Sequence, residues 1–190
     1  MNGSSTARAV QKHWVFGYGS LIYKVDFPYL QRETASITGW TRRFWQGSHD
    51  HRGTPEKPGR VVTLIPAPAV RCLGMAYQVQ HEVFEHLDHR EKNGYQRHKV
   101  SAQLHASNTR VPTTIYVASA DNPAFLGPAE PDIMAAHIAQ AHGPSGSNRD
   151  YLLRLAEALE SLGDNDSHVF DLARRVQQLT SMSRTNSNAP

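Results

Sequence analysis

Short runs of apolar and β-branched residues, several of them alternating with polar positions, dominate the first two thirds of the chain. A period of two residues is typical of strands. Runs of this kind predict strands over 14–18, 35–44, 60–65, 73–79, 96–105 and 113–118. Gly39 interrupts the long second run and predicts a β-bulge there. Pro66 and Pro68 predict a turn over 65–69, between the third and fourth strands.

Helical patterns are confined to one short central segment and to the last third of the chain. A helix is predicted over about 81–91, with Gly94 as its stop signal. Three more helices follow Pro131; the second opens with a capping-box pattern at Ser147–Asp150, and the third spans about 168–179. The apolar stripes are Val83, Phe84 and Leu87; Ile133, Met134, Ile138 and Ala141; Leu152, Leu155, Leu159 and Leu162; and Val169, Leu172, Val176 and Leu179. Strands followed by helices favour an α+β fold with a strongly curved or barrel-like sheet.

The charge of the chain is unevenly distributed, and this changes what the composition implies. Residues 1–12 and 180–190 are polar and predict disordered tails around one domain over 13–179. These tails hold three of the 20 basic residues and no acidic residue, so the domain carries 17 of each sign despite the net charge of +3. A basic face for nucleic acid is therefore not indicated.

Cysteine use and hydropathy indicate the compartment. Cys72 is the only cysteine, so no internal disulfide is possible and a thiolate zinc site is excluded. No run approaches the ~20 apolar residues of a membrane span, and the N-terminus lacks the apolar region of a secretory signal. We expect a cytoplasmic protein without a membrane partner.

A glycine-rich segment, Gly17–Leu21, directly follows the first predicted strand. Glycines let the backbone bend sharply and approach a bound group, and consecutive free amides can form an anion or oxyanion site. The segment does not match the dinucleotide fingerprint, the phosphate-binding loop or the serine-hydrolase elbow. The pattern alone leaves open whether it is a binding loop or only a tight turn.

Glu91 is the second candidate, at the end of the short predicted helix. A carboxylate there faces the negative end of the helix dipole, and burial would raise its pKa and make it a better base near neutral pH. Arg90 and Lys92 could cancel this effect. The alternative is a solvated carboxylate at a helix end, and the spacing does not decide between them.

Histidines and arginines provide further candidates. His49-Asp50-His51 has the spacing of two metal ligands on one strand face, but no third ligand is evident, which favours a structural or substrate-orienting role. The Arg42-Arg43 pair and Arg52 are candidates for binding a substrate carboxylate, and the alternative is charge at a strand edge or on the surface. Arg42 is expected at a strand edge or on the surface.

Several long motifs together resemble the ChaC-type γ-glutamylcyclotransferases, in register over about residues 13–176. The motifs are Trp14–Ile22, Arg42–Ser48, Asp50–Pro55, Pro58–Leu64, Leu87–Tyr95, Asp121–Pro123, Leu126–Ala129 and Gly143–Gly146. The chain departs from the family pattern at Tyr23, His49 and Asn93, where many relatives have Trp, Thr and Gly. None of these departures removes a proposed chemical group.

The resemblance implies a mixed β-barrel fold and cleavage of glutathione into 5-oxoproline and cysteinylglycine, with no metal or organic cofactor. It implies that Glu91 is the catalytic acid/base, and Arg43 or Arg52 is expected to bind the glycine carboxylate. The other substrate-binding residues that it implies are Tyr18, Gly19, Ser20, Leu21, Tyr95 and Tyr151. Two alternatives are a cyclotransferase for other γ-glutamyl amino acids or amines, and a non-catalytic protein that binds a γ-glutamyl metabolite.

Overall fold

The structure, a computed structural model, describes the backbone of residues 11–186 and side chains through Ser181. Within these residues, strands come first and three of the four helices come last. The strands are β1 (Lys12–Gly17), β2 (Gln31–Ser48), β3 (Gly59–Gln80), β4 (Tyr95–Leu104), β5 (Arg110–Ala118), β6 (His142–Gly143) and β7 (Gly146–Ser147). The helices are α1 (Val83–Arg90), α2 (Pro131–Gln140), α3 (Asn148–Ser161) and α4 (Ser167–Asn186).

The five long strands close into a barrel in the order β1-β3-β2-β4-β5. Adjacent strands are antiparallel except at the closure, where Trp14 and Val15 of β1 pair in parallel with Thr113 and Thr114 of β5. Closure leaves no long sheet edge exposed over most of the barrel. The predicted α+β fold with a curved, mixed barrel-like sheet is thus confirmed.

The predicted turn over 65–69 is instead a large bulge inside one 22-residue strand. Pro66 pairs with Trp40 and Arg71 pairs with Thr38, so four residues of β3 lie opposite the single residue Gly39 of β2. The predicted bulge at Gly39 is confirmed, and its φ of 93° favours glycine. Proline cannot donate a ladder hydrogen bond, which explains why this segment leaves the regular pairing without ending the strand.

Helix α4 continues to Asn186, beyond the predicted end of the domain at residue 179. The hydroxyls of Thr180 and Ser181 donate to carbonyls four residues earlier, which satisfies these polar side chains within the helix. The predicted tail over 180–190 is therefore helical through residue 186. Residues 1–10 and 187–190 lie outside the described residues, and β1 begins at Lys12.

The predicted helix stripes are largely buried, with two exceptions. Ile133 is 62% exposed and Leu179 is 38% exposed. The predicted cap of α3 is confirmed, since the Ser147 hydroxyl accepts a hydrogen bond from the Asp150 amide. None of the helices in residues 11–186 combines the length and the apolar character that a membrane span requires.

The apolar core has two parts, and the smaller one positions the residues after α1. The larger cluster fills the barrel and the interface with α2, α3 and α4. The smaller cluster packs Val83, Phe84 and Leu87 of α1 against Val15 and Tyr77. Burial of these three side chains fixes α1 on the barrel, and the chain leaves α1 at Glu91.

Arg42, expected at the surface, is instead buried and only 1% exposed. Side chains alternate between the two faces of a strand, and Arg42 shares the inward face of β2 with the buried Phe44. Its guanidinium is paired with Asp164 and Asp166 in the α3–α4 loop, each at 3.0 Å. A buried arginine is tolerated because its charge and donors are matched.

Candidate functional site

The candidate site is a cleft beside the first half of β3. In this half, β3 has a neighbouring strand of the barrel on one side only. Residues 59–66 pair with β2, whereas β1 pairs only with residues 75–80. Alternate residues of an edge strand point their N–H and C=O groups outward. Arg60 and Val62 point their backbone N–H and C=O groups outward in this way. Side chains from distant segments form hydrogen bonds with these groups.

Asn148, the first residue of α3, satisfies the backbone of Arg60 in both directions. Its Oδ1 accepts from the Arg60 amide at 2.6 Å, and its Nδ2 donates to the Arg60 carbonyl at 2.7 Å. The side chain is fully buried. Asn148 therefore acts like one residue of a missing strand and fixes the start of α3 against β3.

Two tyrosines bond the next outward-facing residue, Val62. The Tyr95 hydroxyl donates to the Val62 carbonyl at 2.8 Å, and the Val62 amide donates to the Tyr151 hydroxyl at 3.4 Å. Burial raises the pKa of both tyrosines, so both are neutral phenols near neutral pH. The free edge of β3 thus explains why these two aromatic residues, 56 positions apart in sequence, meet at one site.

The glycine-rich segment forms a tight turn at the end of β1 and continues as a short 3₁₀-helix, Ser20–Ile22. A Cβ at Gly17 would lie 2.5 Å from the Leu21 Cβ, and one at Gly19 would lie 2.9 Å from Val62 Cγ2. Both distances are too short for a side chain, so the turn requires glycine at these positions. The first amides of a helix have no acceptor within it, and here these are the amides around Gly19 and Ser20.

Glu91 follows α1 directly, and its backbone ends that helix. Its amide donates to the Leu87 carbonyl at 2.9 Å, and Gly94, with φ of 94°, turns the chain into β4. The Glu91 side chain is 19% exposed, and its Oε1 lies 3.3 Å from Arg90 Nε. Burial raises the pKa of Glu91 above its ordinary value; the charges of Asp26 and Asp50 add to this rise, whereas Arg90 opposes it.

Two adjoining cavities meet at Glu91. The larger has a volume of about 190 Å³ and the smaller about 70 Å³. The smaller is enclosed by the glycine turn, including Tyr18, Gly19, Ser20 and Leu21. Both are lined by Ser20, Glu91, Tyr95 and Tyr151.

The structure therefore brings together seven of the predicted residues: Glu91, the four residues Tyr18–Leu21, Tyr95 and Tyr151. Tyr18 contributes backbone rather than a free hydroxyl, because its hydroxyl donates to the Tyr116 carbonyl at 2.6 Å. The Ser20 hydroxyl accepts from Arg90 at 2.9 Å, and Arg90 also pairs with Asp26 at 2.5 Å. Arg90 thus ties the glycine turn to the end of α1.

The two candidate arginines are placed differently. Arg52 lines the larger cavity, where its Nη1 donates to the Ser145 carbonyl at 2.8 Å and its guanidinium carbon lies 5.6 Å from the centre of the Tyr151 ring. Arg43 does not line the cleft. It lies on the outward face of β2 and donates to Thr41 Oγ1 at 2.9 Å. The structure therefore does not bring Arg43 to the cleft, because the alternation that buries Arg42 turns Arg43 away from the barrel interior.

Sequence reasoning missed a pair of amides that supports the segment after Glu91. Gln46 Nε2 donates to the Asn93 carbonyl at 3.1 Å and to Asn122 Oδ1 at 3.1 Å, and Asn122 Nδ2 returns a bond to Gln46 Oε1 at 3.0 Å. A Cβ at Gly94 would lie 2.5 Å from Asn122 Oδ1. Both amides belong to motifs of the family resemblance, which was the available signal.

The segment His49-Asp50-His51 lies at the rim of the larger cavity. His51 Nδ1 lies 3.0 Å from the Ser145 hydroxyl, and the Asp50 carboxylate accepts from Asn93 Nδ2. Across residues 11–186, no group of three or more His, Cys, Asp or Glu side chains is arranged to hold a metal ion. The segment therefore has no third ligand among these residues, and its contacts are with the walls of the cleft.

Two features define the class of protein. One is a barrel with a cleft at the unpaired edge of one strand, and the other is a half-buried carboxylate that faces a glycine turn. The class is a γ-glutamylcyclotransferase-like α+β barrel. The family model described as "ChaC-like protein" matches residues 13–179. The chain belongs to this ChaC-like family.

Relatives and a solved structure agree with this assignment. The chain is 45% identical over 182 residues to Gamma-glutamylcyclotransferase 2-3 of Arabidopsis thaliana, covering 90% of this chain and 91% of that protein. It is 42% identical over 168 residues to Glutathione-specific gamma-glutamylcyclotransferase 1 of Danio rerio, covering 84% and 86%. A crystal structure of the yeast γ-glutamyl cyclotransferase specific to glutathione superposes with a TM-score of 0.82 at 35% identity, covering 88% of this chain and 96% of that one.

Proposed function

We propose that the chain is a glutathione-specific γ-glutamylcyclotransferase that converts glutathione into 5-oxoproline and cysteinylglycine. The observation that carries this proposal is the position of Glu91, a carboxylate with a raised pKa where two cavities meet beside the glycine turn. The relatives named for glutathione support the same substrate. A cytoplasmic location suits this substrate and the free, buried Cys72, and we expect no nucleic-acid partner.

The reaction needs a folded substrate and a group that moves protons. The α-amino nitrogen of the γ-glutamyl group attacks its own γ-carbonyl carbon and closes a five-membered ring. Both reacting atoms belong to one molecule, so the enzyme only has to hold a bent conformation. Near pH 7 the α-amino group is mostly protonated, and the Glu91 carboxylate takes the proton that blocks attack.

The tetrahedral intermediate carries negative charge on the former carbonyl oxygen. Backbone amides of the Tyr18–Leu21 turn are placed to bind either that oxygen or the α-carboxylate of the substrate. As the C–N bond breaks, protonated Glu91 gives its proton to the leaving nitrogen of cysteinylglycine, and the regenerated carboxylate takes the second proton from the attacking nitrogen, which leaves a neutral lactam. The smaller cavity accommodates the γ-glutamyl group, and the larger one accommodates the leaving dipeptide.

The walls of the larger cavity carry charges of both signs, which suits a peptide with an ammonium and two carboxylates. The basic side chains are Lys24, Arg52 and Arg90, and the acidic ones are Asp26, Asp50 and Glu91. Arg52 is our candidate for the glycine carboxylate, because its planar fork of donors matches that group.

The proposed role of Arg52 can be tested by comparing it with Arg43, which does not line the cleft. Arg52→Gln is expected to raise the KM for glutathione about tenfold, the size of one charge-assisted hydrogen bond, whereas Arg43→Gln leaves it unchanged. The measurement compares glutathione with its glycine amide in both variants. Wild-type enzyme and Arg43→Gln should prefer the carboxylate, and Arg52→Gln should not. Equal preference in wild type and Arg52→Gln would contradict this role.

The raised pKa of Glu91 predicts the acidic side of the pH–rate profile. Protonated Glu91 cannot accept a proton, so kcat/KM should rise with pH through a midpoint above ~4.3, the ordinary glutamate value. Arg90 lowers the pKa of Glu91, so Arg90→Gln should move the midpoint upward. Lys92→Gln, which removes an exposed charge next to Glu91 in sequence, is the control and should not move it.

The direct test of the proposed function is to incubate pure protein with glutathione and assay both products. Equimolar 5-oxoproline and cysteinylglycine support it. Turnover of γ-glutamyl-alanine in preference to glutathione would indicate a cyclotransferase of different specificity. Saturable glutathione binding without 5-oxoproline would indicate a binding protein.

A further inference from the structure

Arg42 is the most fully buried charged residue of the barrel, and one of its contacts leads to the cleft. Its Nε donates to the Tyr18 carbonyl at 2.6 Å, and its Nη2 donates to the Leu73 carbonyl. Its Nη1 donates to Asp164 and Asp166, each at 3.0 Å. Arg42 therefore connects the α3–α4 loop to the first residue of the glycine turn.

The two aspartates that bind Arg42 in the α3–α4 loop are themselves fixed by hydrogen bonds. Asp166 uses its second carboxylate oxygen to accept from the Val169 amide at 3.2 Å, which caps the start of α4. Asp164 Oδ1 accepts from the Asn165 amide at 2.8 Å. Both carboxylates are thus fixed in orientation, and the guanidinium between them has little freedom.

A fixed carbonyl also fixes the amide that follows it. A trans peptide is planar, and its C=O and N–H point in opposite directions. The Tyr18 carbonyl points at Arg42, so the Gly19 N–H must point away from Arg42. Gly19 lines the smaller cavity together with Glu91, and Arg42 does not.

We propose that Arg42, clamped by Asp164 and Asp166, is a positioning residue that orients the Tyr18–Gly19 peptide so that the Gly19 amide faces the reacting group. This inference rests on the proposed function, and it gives the α3–α4 loop a part in the activity. Arg42 touches no substrate. It acts through the backbone of the turn, and glycine at position 19 would otherwise leave that backbone free to rotate.

The test removes the whole network at once, because deleting Arg42 alone would leave two carboxylates without a partner. The variant Arg42→Met/Asp164→Asn/Asp166→Asn removes the three charges together, a change that buried ion networks often tolerate, and asparagine still caps α4. The matched control is Arg175→Met/Asp132→Asn/Asp171→Asn. Arg175 also bonds two aspartates, Asp132 of α2 and Asp171 of α4, and none of the three residues lines either cavity.

The expected result is a loss of about 10- to 100-fold in kcat/KM for glutathione per folded molecule, since small misplacements of a site cost that much. The control should stay within about twofold. The acidic midpoint of the pH–rate profile should not move, because Arg42 acts on the turn and not on Glu91. Hydrogen exchange of the Ile22 and Tyr23 amides, which bond back to Gly19 and Ser20, should become about tenfold faster.

The outcomes separate this inference from the proposed function. If wild-type protein makes no 5-oxoproline, the proposed function fails, and the exchange measurement still decides whether Arg42 orders the turn. If wild type is active and both triple variants match it in activity and exchange, the inference is overturned. Should the triple variant not fold, Arg42→Lys serves instead. It keeps the charge between the aspartates but loses the Nε donor, and it should show the same loss and faster exchange.

Discussion

Replacing Glu91 by glutamine is expected to reduce the turnover of glutathione by roughly 10²–10⁴-fold, the usual contribution of a general acid–base group. Glutamine has nearly the same shape as glutamate, so the walls of both cavities remain. It cannot take a proton from the substrate ammonium or return one to the leaving nitrogen. The loss should therefore appear in kcat, with a smaller change in KM.

The same substitution should not destabilise the fold. The sign of its effect on the free energy of unfolding follows from the pKa of Glu91. Burial raises that pKa, so the folded state disfavours the charged form relative to the unfolded state. The resulting penalty is absent below the unfolded-state pKa, grows as pH rises through the folded-state pKa, and is constant above it. Glu91→Gln should thus be at least as stable as wild type at pH 7, and the difference should vanish in acid.

The measurements are steady-state kinetics on glutathione and urea unfolding at pH 7 and pH 4. Glu85→Gln is the matched control, because Glu85 is an exposed residue of the same helix region, in the first turn of α1. It should leave both kinetics and stability unchanged. A Glu91→Gln enzyme within a few-fold of wild-type turnover would show that another group moves the proton.

Local rules predict those features of the fold whose causes lie within a few residues. The bulge at Gly39, the cap at Ser147 and the turn at Gly94 each follow from one residue type in one backbone conformation. The bulge in β3 has the sequence pattern of a turn, because proline interrupts strand pairing in both cases. Only the pairing with β2, which resumes where Arg71 lies opposite Thr38, distinguishes a bulge from a turn.

Arg42 shows that the pattern of a strand predicts the face on which a side chain lies but not its distant partners. Alternation along β2 puts Arg42 on the same face as Phe44, so an inward Arg42 was implied by the pattern. Its burial was still unexpected, because the two aspartates that neutralise it lie more than 120 residues away. No local signal predicts such a partner, and an unpartnered arginine is normally exposed.

The proposed site also depends on contacts between residues that are far apart in sequence. Tyr95 and Tyr151 are both hydrogen-bonded to Val62 at the free edge of β3. That edge exists only because β1 pairs with the far half of β3. The sequence motifs carried the resemblance, but the reason for their spacing became visible only in the barrel.

Asn148→Ala is expected to lower the free energy of unfolding by about 2–4 kcal/mol, because it leaves two buried backbone groups of Arg60 unsatisfied at about 1–3 kcal/mol each. The asparagine side chain is fully buried and bonds both the amide and the carbonyl of Arg60. Asn148→Asp should also be destabilising, since a carboxylate cannot donate to the carbonyl and would bury a charge.

Urea unfolding followed by tryptophan fluorescence measures this difference by linear extrapolation. Asn165→Ala is the control, because Asn165 is exposed in the α3–α4 loop, and it should change stability by less than about 0.5 kcal/mol. An Asn148→Ala protein as stable as this control would mean that water replaces both bonds. Since Tyr151 follows Asn148 by one turn of α3, a loosened helix start should also raise the KM for glutathione under conditions where the variant is still folded.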